Sequence, residues 1–319
     1  MKIAVADNNS RKFTHDLIEH WIELGHEVKY EAGASEVLAQ WADIYYIDTW
    51  DNNLHYLYKL YHGDEGVSRT EDWDNNKKPT IVVRALDWEV WLGMARDQDI
   101  INWVDKVIVI APHIEKELRK YGEFGNKIKV IRPGVNLDKF TLKTKVTDGF
   151  QLGMSLGDMW KYKNHMGGLD IFTSLYRQDN RWRLHIRGQH ENQAYDPTNF
   201  EYYLESRGIK DVVTLYPWTD DMNQWYENID ILLHPGQKEA FCYAVAEAMS
   251  KGIPAVINDF YGSKDIWPGV YQTHEEAIEA ILKAQQLLTE EGKQFFRKYI
   301  EKVYSLERQL KETDEFLGL

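Results

Sequence analysis

Cysteine is almost absent from this sequence: Cys242 is the single example among 319 residues. One cysteine cannot form a disulfide within the chain, so a fold held together by a disulfide framework is excluded, and the composition fits a reducing cytosol. No His or Asp is spaced in the sequence to activate this thiol as a nucleophile. We therefore interpret Cys242 as a small, buried thiol within a helix.

Long apolar runs and an excess of positive charge are also missing. No apolar run approaches the roughly 20 residues that span a bilayer, and Met1 leads directly into the strand-like sequence KIAVAD without a leader pattern. Lys and Arg number 38 against 51 Asp and Glu, which gives a net charge of -13. Because nucleic-acid affinity depends on cations that neutralise phosphates, a general polyanion binder is disfavoured. We expect a cytoplasmic protein without a transmembrane segment.

The apolar residues form short runs that alternate with amphipathic stretches, which is typical of parallel sheets with helices on both faces. A helix is predicted over residues 10–24, ending before Gly25. The stretch 48–79 is polar, aromatic and predicted to be a long loop. Its aromatic residues either pack in the core or stack on a sugar; they are Trp50, Tyr56, Tyr58, Tyr61 and Trp73. Strands are predicted at 2–7, 26–32, 43–48, 80–86, 106–111 and 127–133.

A second set of strands follows residues 137–149, which lack clear periodicity and form the predicted linker. These strands are at 150–157, 182–188, 212–218, 229–235 and 253–259, and the pattern is helical after about residue 275. With 43% hydrophobic residues, the chain can bury two substantial cores. We predict a first domain over 1–141, joined by a C-terminal helix over about 295–319, and a second domain over 147–294.

The stretch KEAFCYAVAEAMSKGIPAV, residues 238–256, contains Glu239 at the start of a predicted helix and Glu247 eight positions later. It follows a buried-strand pattern, so this helix start lies at the carboxyl edge of a parallel sheet, where ligands bind and where free N–H groups attract phosphate. Eight helical residues rise roughly 12 Å. That distance suits one extended ligand, such as a nucleotide sugar, better than a catalytic acid and base acting on one bond.

This stretch resembles the E-x7-E element of retaining GT-B glycosyltransferases, in particular the large family often numbered four, glycosyl transferases group 1. The resemblance implies two Rossmann-like, doubly wound domains that face a central cleft, with the C-terminal helices returning to the first domain. It implies that Glu239 contacts the donor sugar and Glu247 the ribose. The backbone amides near the sugar and phosphates would be those of Ala240, Phe241 and Cys242.

Other segments extend the resemblance. GDMWKYKN, beginning at Gly157, is similar to a loop that places Lys163 on the donor diphosphate. The family arginine after that glycine is Asp158 here, and Lys161 is the expected substitute. The strand-end element contributes Arg187 and Gly188, and the segment around the nucleotide base contributes Pro217 and Trp218.

The match is looser in the first half. DNNS, residues 7–10, stands where the family has a glycine-rich turn, and Leu86-Asp87 stands in place of its His-Asp element. The identity of the donor sugar is therefore not determined. Because the family histidine is absent, a pentose or deoxysugar is among the possible donors. On the acceptor side we predict Asn9, Trp50 and Asp87.

The function that the resemblance implies is transfer of a sugar from a UDP- or GDP-linked donor to a hydroxyl acceptor, with retention and without a metal or other cofactor. Glu239 and Lys163 would carry the reaction. The alternatives are a catalytically weak binding subunit and a nucleotide-sugar epimerase or hydrolase. Glycans, lipid-linked sugars and small metabolites remain open as acceptors, and a DNA base is disfavoured by the charge.

Metal-binding patterns have simpler interpretations. Asp97 and Asp99 have a D-x-D spacing, but they follow a helical pattern and are interpreted as a helix terminus. His185, His190 and Glu191 lack a close set of partner ligands and are interpreted as strand and loop residues.

Overall fold

The computed structural model describes residues 1–8, 13–63, 67, 69–157, 161–188, 197–219 and 221–319, without the side chains of 94, 161 and 197–199. The chain divides into two compact units. The first comprises Met1–Arg132 with Gln309–Leu319, and the second comprises Pro133–Arg308. In the described part of the chain, no helix combines the length and apolarity needed to cross a membrane.

The first unit contains a parallel sheet in the order β2-β1-β3-β4-β5-β6. Its strands are β1 (Lys2–Ala6), β2 (Glu27–Glu31), β3 (Ile44–Ile47), β4 (Thr80–Ala85), β5 (Lys106–Val109) and β6 (Ile128–Val130). Its helices are α1 (His15–Glu23), α2 (Glu36–Trp41), α3 (Asn52–His62), α4 (Asp87–Trp91), α5 (Gln98–Trp103) and α6 (Pro112–Leu118). Strands buried on both faces, such as Ile44–Ile47, explain the continuous apolar runs in the sequence.

The second unit contains a parallel sheet in the order β11-β10-β7-β8-β9. Its strands are β7 (Gln151–Gly157), β8 (Arg183–Gly188), β9 (Val213–Tyr216), β10 (Ile231–His234) and β11 (Ala255–Ile257). Its helices are α7 (His165–Gln178), α8 (Pro197–Ser206), α9 (Met222–Tyr226), α10 (Tyr243–Ser250), α11 (Ser263–Ile266), α12 (His274–Gln286) and α13 (Glu290–Tyr304). The last helix, α14 (Leu306–Leu317), crosses the division between the units.

The segment predicted as a long loop, 48–79, contains the helix α3, and that prediction is wrong in its first third. Leu54, Leu57 and Leu60 are buried at a helical spacing of three, and the Asp51 side chain caps the helix by accepting a hydrogen bond from the Asn53 N–H. The many polar and aromatic residues between these leucines hid the periodicity. After the helix, the described residues up to β4 form turns and segments without regular secondary structure.

The division between the units differs from the predicted boundaries. Residues 133–141 belong to the second unit, because the Arg297 guanidinium on α13 donates hydrogen bonds to the carbonyl oxygens of Leu137 and Phe140. Helix α13 itself packs against α10. The C-terminal segment that belongs to the first unit is therefore 309–319 rather than 295–319.

Candidate functional site

The candidate site lies in the second unit, at the carboxyl edge of its sheet. Strand β7 is followed along the chain by β8 and β9 on one side of it, whereas β10 and β11 lie on the other side. The strand order therefore reverses between β7 and β10. In open α/β sheets, such a reversal leaves a crevice outside the strand ends, where ligands bind.

An ion pair joins the two loops that leave the sheet at this point. Lys163, in a short 3-10 helix after β7, donates from Nζ to the Oε1 of Glu239, which follows β10. The loops are also joined through the backbone, since the Gln237 N–H donates to the Tyr162 carbonyl at 2.8 Å. The side chains of Lys163 and Glu239 are 21% and 13% exposed, so both remain within reach of a ligand.

The environment of Lys163 keeps its ammonium charged. Burial alone would lower the pKa of this lysine, but the Glu239 carboxylate outweighs burial and the net effect is a raised pKa. A charged ammonium at the reversal point of the sheet can pair with a phosphate as readily as with a carboxylate.

His234, the last residue of β10, is a site residue that the sequence analysis missed. It is buried, and its two ring nitrogens face different neighbours: Nδ1 lies 3.5 Å from Cys242 Sγ, and Nε2 lies 3.5 Å from Glu239 Oε1. Burial lowers the pKa of His234 to about 4, against the opposing effect of Glu239. The imidazole is therefore neutral at neutral pH. The signal in the sequence was its position at the end of a strand before Pro235 and Gly236.

Cys242 differs from the prediction in two respects: it is half-buried rather than buried, and it precedes α10 rather than lying within it. Its backbone adopts a left-handed conformation with φ 71°, which is rare for a residue other than glycine. A histidine, His234, does lie beside its thiol. Burial, and then the Glu239 carboxylate, raise the pKa of the Cys242 thiol. The thiol is thus protonated, and the structure gives it no nucleophilic character.

Glu247 lies on the second turn of α10 and is half-buried. Its Oε2 accepts a hydrogen bond from the Tyr226 hydroxyl at 2.8 Å, and the same hydroxyl lies 3.1 Å from the Ala244 carbonyl oxygen. Tyr226, at the end of α9, is fully buried, and burial and Glu247 raise the pKa of its hydroxyl. The sequence analysis did not identify Tyr226. Neither acidic side chain of the E-x7-E element points into bulk solvent.

The neighbouring strands contribute further predicted residues. Gly157 and Gly188 end β7 and β8 and pair with each other after a register shift between Ser155 and Gly157. Arg187 is buried; its guanidinium lies 4.1 Å from the centroid of the Trp218 ring and donates a hydrogen bond to the Thr219 carbonyl oxygen. Trp218 is 43% exposed. Together with Pro217, it follows the carboxyl end of β9, on the same edge as the other predicted donor residues.

Ala240 and Phe241 lie between Glu239 and the start of α10. Phe241 is buried, and its carbonyl accepts a hydrogen bond from the indole N–H of Trp267 at 3.1 Å. This contact holds the backbone that leads into the helix. The predicted role of the 240–242 amides toward a donor stays a prediction.

Several predicted residues lie outside the described part of the chain. They are Asn9, Asp158, His190 and Glu191, and the side chain of Lys161 belongs with them. Their roles stay predictions.

Two of the predicted acceptor-side residues, Trp50 and Asp87, lie in the described part of the first unit. The Trp50 side chain is fully buried, so its ring exposes no face for stacking on a ligand, and the structure favours the packing interpretation. Asp87 is the first residue of α4, at the carboxyl edge of the first sheet. Of the other aromatic residues predicted with Trp50, Tyr61 and Trp73 contact each other, with ring centroids 4.9 Å apart, and Tyr58 packs edge-on against Trp103.

The carboxyl edge of the first sheet holds buried charge. Arg84 on β4 forms an ion pair with Asp48 after β3, with Nε 2.6 Å from Oδ1, and both side chains are at most 4% exposed. Burial raises the pKa of Asp48 to about 6, against the effect of Arg84. Burial also raises the pKa of Glu89, on α4, to about 8.

The simpler interpretations of the metal-binding patterns agree with the structure where it describes them. Asp97 caps α5 by accepting hydrogen bonds from the N–H groups of Asp99 and Ile100. The His185 ring, on β8, is hydrogen-bonded to Tyr216 and Gln151.

Among the described residues, one group brings three ligand atoms of metal-binding type within 4.8 Å of one another: His234, Glu239 and Cys242. The two nitrogens of His234 face different members of this group, Nδ1 toward Cys242 and Nε2 toward Glu239. Lys163 already provides a cation to Glu239. The arrangement is better described as a hydrogen-bonding cluster around Glu239 than as a metal centre.

Comparison with known proteins places these features in a family. The model of the family described as Glycosyl transferases group 1 matches residues 143–302. Lipopolysaccharide 1,6-galactosyltransferase of Salmonella typhimurium is 26% identical over 188 residues, which cover 56% of this chain and 50% of that protein. The chain spans about half the length of the curated relatives it matches.

Solved structures resemble the whole chain. Sucrose-phosphate synthase from Thermosynechococcus elongatus has a TM-score of 0.74 at 13% identity, covering 99% of this chain and 98% of that one. The Anabaena HepE protein in complex with UDP-glucose has a TM-score of 0.73 at 13% identity, covering 100% and 99%. These likenesses confirm the predicted GT-B fold class, and the match to the family model confirms the family resemblance.

Proposed function

This chain belongs to the glycosyl transferases group 1 family, and from that membership we propose that it is a retaining glycosyltransferase acting on a nucleoside-diphosphate sugar. The observation that carries the proposal is the Lys163–Glu239 pair, which joins the loops after β7 and β10 at the reversal point of the second sheet. It supplies a cation for a diphosphate and a carboxylate for sugar hydroxyls at one place.

In the proposed reaction, Lys163 turns its ammonium from Glu239 to the donor diphosphate and stabilises the charge that develops on the leaving group. Glu239 then accepts hydrogen bonds from the donor sugar. The bond between the sugar anomeric carbon and the phosphate oxygen breaks, and a bond to the acceptor oxygen forms on the same face. The acceptor proton passes to a donor phosphate oxygen, so the reaction requires no side-chain base and no metal.

The rest of the donor is held by residues on the same edge of the sheet. Glu247, oriented by the Tyr226 hydroxyl, accepts hydrogen bonds from the ribose. The exposed ring of Trp218, which lies over the Arg187 guanidinium, offers a surface for the nucleotide base. A uridine donor is favoured over a guanosine donor, because the structurally similar HepE protein is described in complex with UDP-glucose. The acceptor is a hydroxyl compound, and the reaction takes place in the cytoplasm.

Calorimetric titration with UDP-glucose and GDP-mannose tests the donor site. We expect the unmodified protein to bind UDP-glucose, and Glu247→Gln to bind it about ten- to a hundredfold more weakly, because a charged acceptor of hydrogen bonds is lost. Glu279→Gln is the matched control: it makes the same change at an exposed position on α12 of the same unit and should leave the affinity unaltered.

Two results would refute this assignment. The first is a protein that binds neither sugar nucleotide. The second is a Glu247→Gln variant whose affinity equals that of the control. Binding without transfer to any hydroxyl acceptor, or to water, would instead indicate the catalytically weak binding subunit.

A further inference from the structure

The imidazole of His234 lies between a thiol and a carboxylate, with one nitrogen toward each. Nδ1 is 3.5 Å from Cys242 Sγ, a distance compatible with a hydrogen bond to sulfur. Nε2 is 3.5 Å from Glu239 Oε1, which is too long for a good hydrogen bond. Nε2 is buried and has no hydrogen-bond partner among the residues that the structure describes. A buried polar atom of this kind calls for a partner that arrives in another state of the site.

The neighbours of the ring decide which nitrogen carries its proton. A neutral imidazole has one N–H and one lone pair. With the proton on Nδ1, the lone pair of Nε2 would face the Glu239 carboxylate, and two acceptors would repel each other at 3.5 Å. With the proton on Nε2, the protonated Cys242 thiol donates to Nδ1, and Nε2–H points at the carboxylate. The second arrangement leaves every group with a complementary neighbour.

The space between Nε2 and Glu239 is kept open by a glycine. A Cβ atom at Gly236 would lie 2.8 Å from His234 Nε2 and 3.4 Å from Glu239 Oε1. Since no side chain occupies that position, the carboxylate can approach the imidazole by the few tenths of an ångström that a hydrogen bond requires.

We propose that Cys242 and His234 form a positioning pair for Glu239. The thiol fixes the Nε2–H tautomer of His234. When Lys163 moves from Glu239 to the donor phosphates, His234 Nε2–H replaces it as the hydrogen-bond donor to the Glu239 carboxylate. The inference rests on the proposed function, because the departure of Lys163 is caused by the donor. Without a hydrogen-bond donor in place of Lys163, no protein group would hold the Glu239 carboxylate in its orientation toward the sugar. His234 acts through Glu239 and touches no reacting atom.

The first experiment measures the tautomer directly. The protein is labelled with ¹⁵N in its histidine rings, and the His234 signal is assigned as the one that disappears in His234→Gln. We expect the neutral Nε2–H form between pH 6 and 8 and a stronger Nε2–H hydrogen bond when UDP-glucose is added. An Nδ1–H tautomer or a charged ring in that pH range overturns the proposal.

The second experiment compares two replacements of similar shape. His234→Gln places an amide N–H near the position of Nε2, whereas His234→Asn places it near Nδ1. We expect donor affinity and kcat/KM within about threefold of the unmodified enzyme for Gln, and a loss of about tenfold or more for Asn, since one directed hydrogen bond is kept or lost. Thermal unfolding of both variants shows whether their folds are equally stable. Equal losses of donor affinity at equal stability would contradict a positioning role.

The thiol is tested by Cys242→Ser, which keeps a hydroxyl donor, against Cys242→Ala, which keeps none. We expect Ser to preserve the Nε2–H tautomer and Ala to yield a mixture of tautomers with weaker donor binding. If Cys242→Ala still shows only the Nε2–H tautomer, the thiol does not fix the tautomer and the positioning pair is overturned. A protein that binds no sugar nucleotide refutes the proposed function and the partner exchange with it, whereas one that binds UDP-glucose with an Nδ1–H ring refutes the positioning pair alone.

Discussion

Each of the two units has an ion pair at the carboxyl edge of its parallel sheet, but the two pairs differ in their exposure to solvent. At the first edge, Arg84 and Asp48 pair with both side chains at most 4% exposed. At the second, Lys163 and Glu239 pair with side chains 21% and 13% exposed. A buried pair cannot exchange its partner for water or a ligand without a large desolvation cost, whereas a partly exposed pair can.

Accessibility, rather than the presence of opposite charges, therefore separates a structural ion pair from a candidate ligand site in this chain. Both pairs occur at the carboxyl edge of a parallel sheet, where ligands are expected. The first pair connects β3 and β4, because Asp48 follows β3 and Arg84 lies on β4. The second joins two loops and can open.

The largest expected effect comes from breaking the buried pair. Arg84→Met leaves Asp48 without its cation in a buried place, and we expect the free energy of unfolding to fall by about 3–5 kcal/mol. Urea denaturation measures this change. The matched control is Arg181→Met, which breaks the exposed Arg181–Asp179 pair of the second unit and should leave stability unchanged. Equal effects of the two substitutions would remove the distinction between the edges.

A stability effect that depends on pH is expected at Glu89. Burial raises the pKa of this carboxyl from 4.5 to about 8, so the folded chain keeps a proton that the unfolded chain releases between these values. The contribution of the protonated Glu89 carboxyl to the free energy of unfolding is therefore fully present below pH 4.5, and it is lost as the pH rises toward 8. Relative to Glu89→Gln, which stays neutral, we expect the unmodified protein to lose about 1.4 kcal/mol of stability per pH unit across this window.

The check is urea denaturation of both proteins at intervals from pH 5 to pH 9. A constant difference between the two curves would mean that Glu89 ionises normally in the folded chain. Asp48 titrates in the same direction in both proteins, so its contribution cancels in the comparison.

Opening the second pair should change binding rather than folding. Lys163→Met removes the cation proposed for the diphosphate, and we expect UDP-glucose affinity to fall about tenfold to a hundredfold, as for loss of one charged hydrogen bond. The stability should change by less than it does in Arg84→Met, because Glu239 can be solvated in place. Calorimetric titration and urea denaturation measure the two quantities, with the exposed Lys283→Met as control. A variant that loses stability and keeps affinity would reverse the assignment.

The sequence predicted the strands well, because their apolar runs come from burial on both sheet faces. It also predicted that Lys163 and Glu239 follow strands and that Glu247 lies on the next helix, because these positions are a local property. The roles of the three residues toward a donor stay predictions. Helix α3 was missed because its buried leucines stand among polar and aromatic residues. His234 and Tyr226 were missed for a different reason.

These two residues act through side-chain contacts that a strand, loop and helix pattern does not predict. His234 meets Cys242 across the loop after β10, and Tyr226 reaches Glu247 from the preceding helix. Likewise, Trp50 looked like a ligand-stacking residue in a loop, and only the packed structure shows its side chain to be enclosed. Local patterns identify which residues follow a strand, but burial and partner choice depend on the tertiary fold.

Helix α14 bears on the order in which the protein can be made. The chain crosses between the units at Arg132–Pro133 and again within this helix, at Arg308–Gln309. Asp314 accepts hydrogen bonds from Trp21 and His20, and Leu317 belongs to the first hydrophobic core. The core of the first unit therefore includes residues that are synthesised after the whole of the second unit, almost 180 positions later than the last strand of the first sheet.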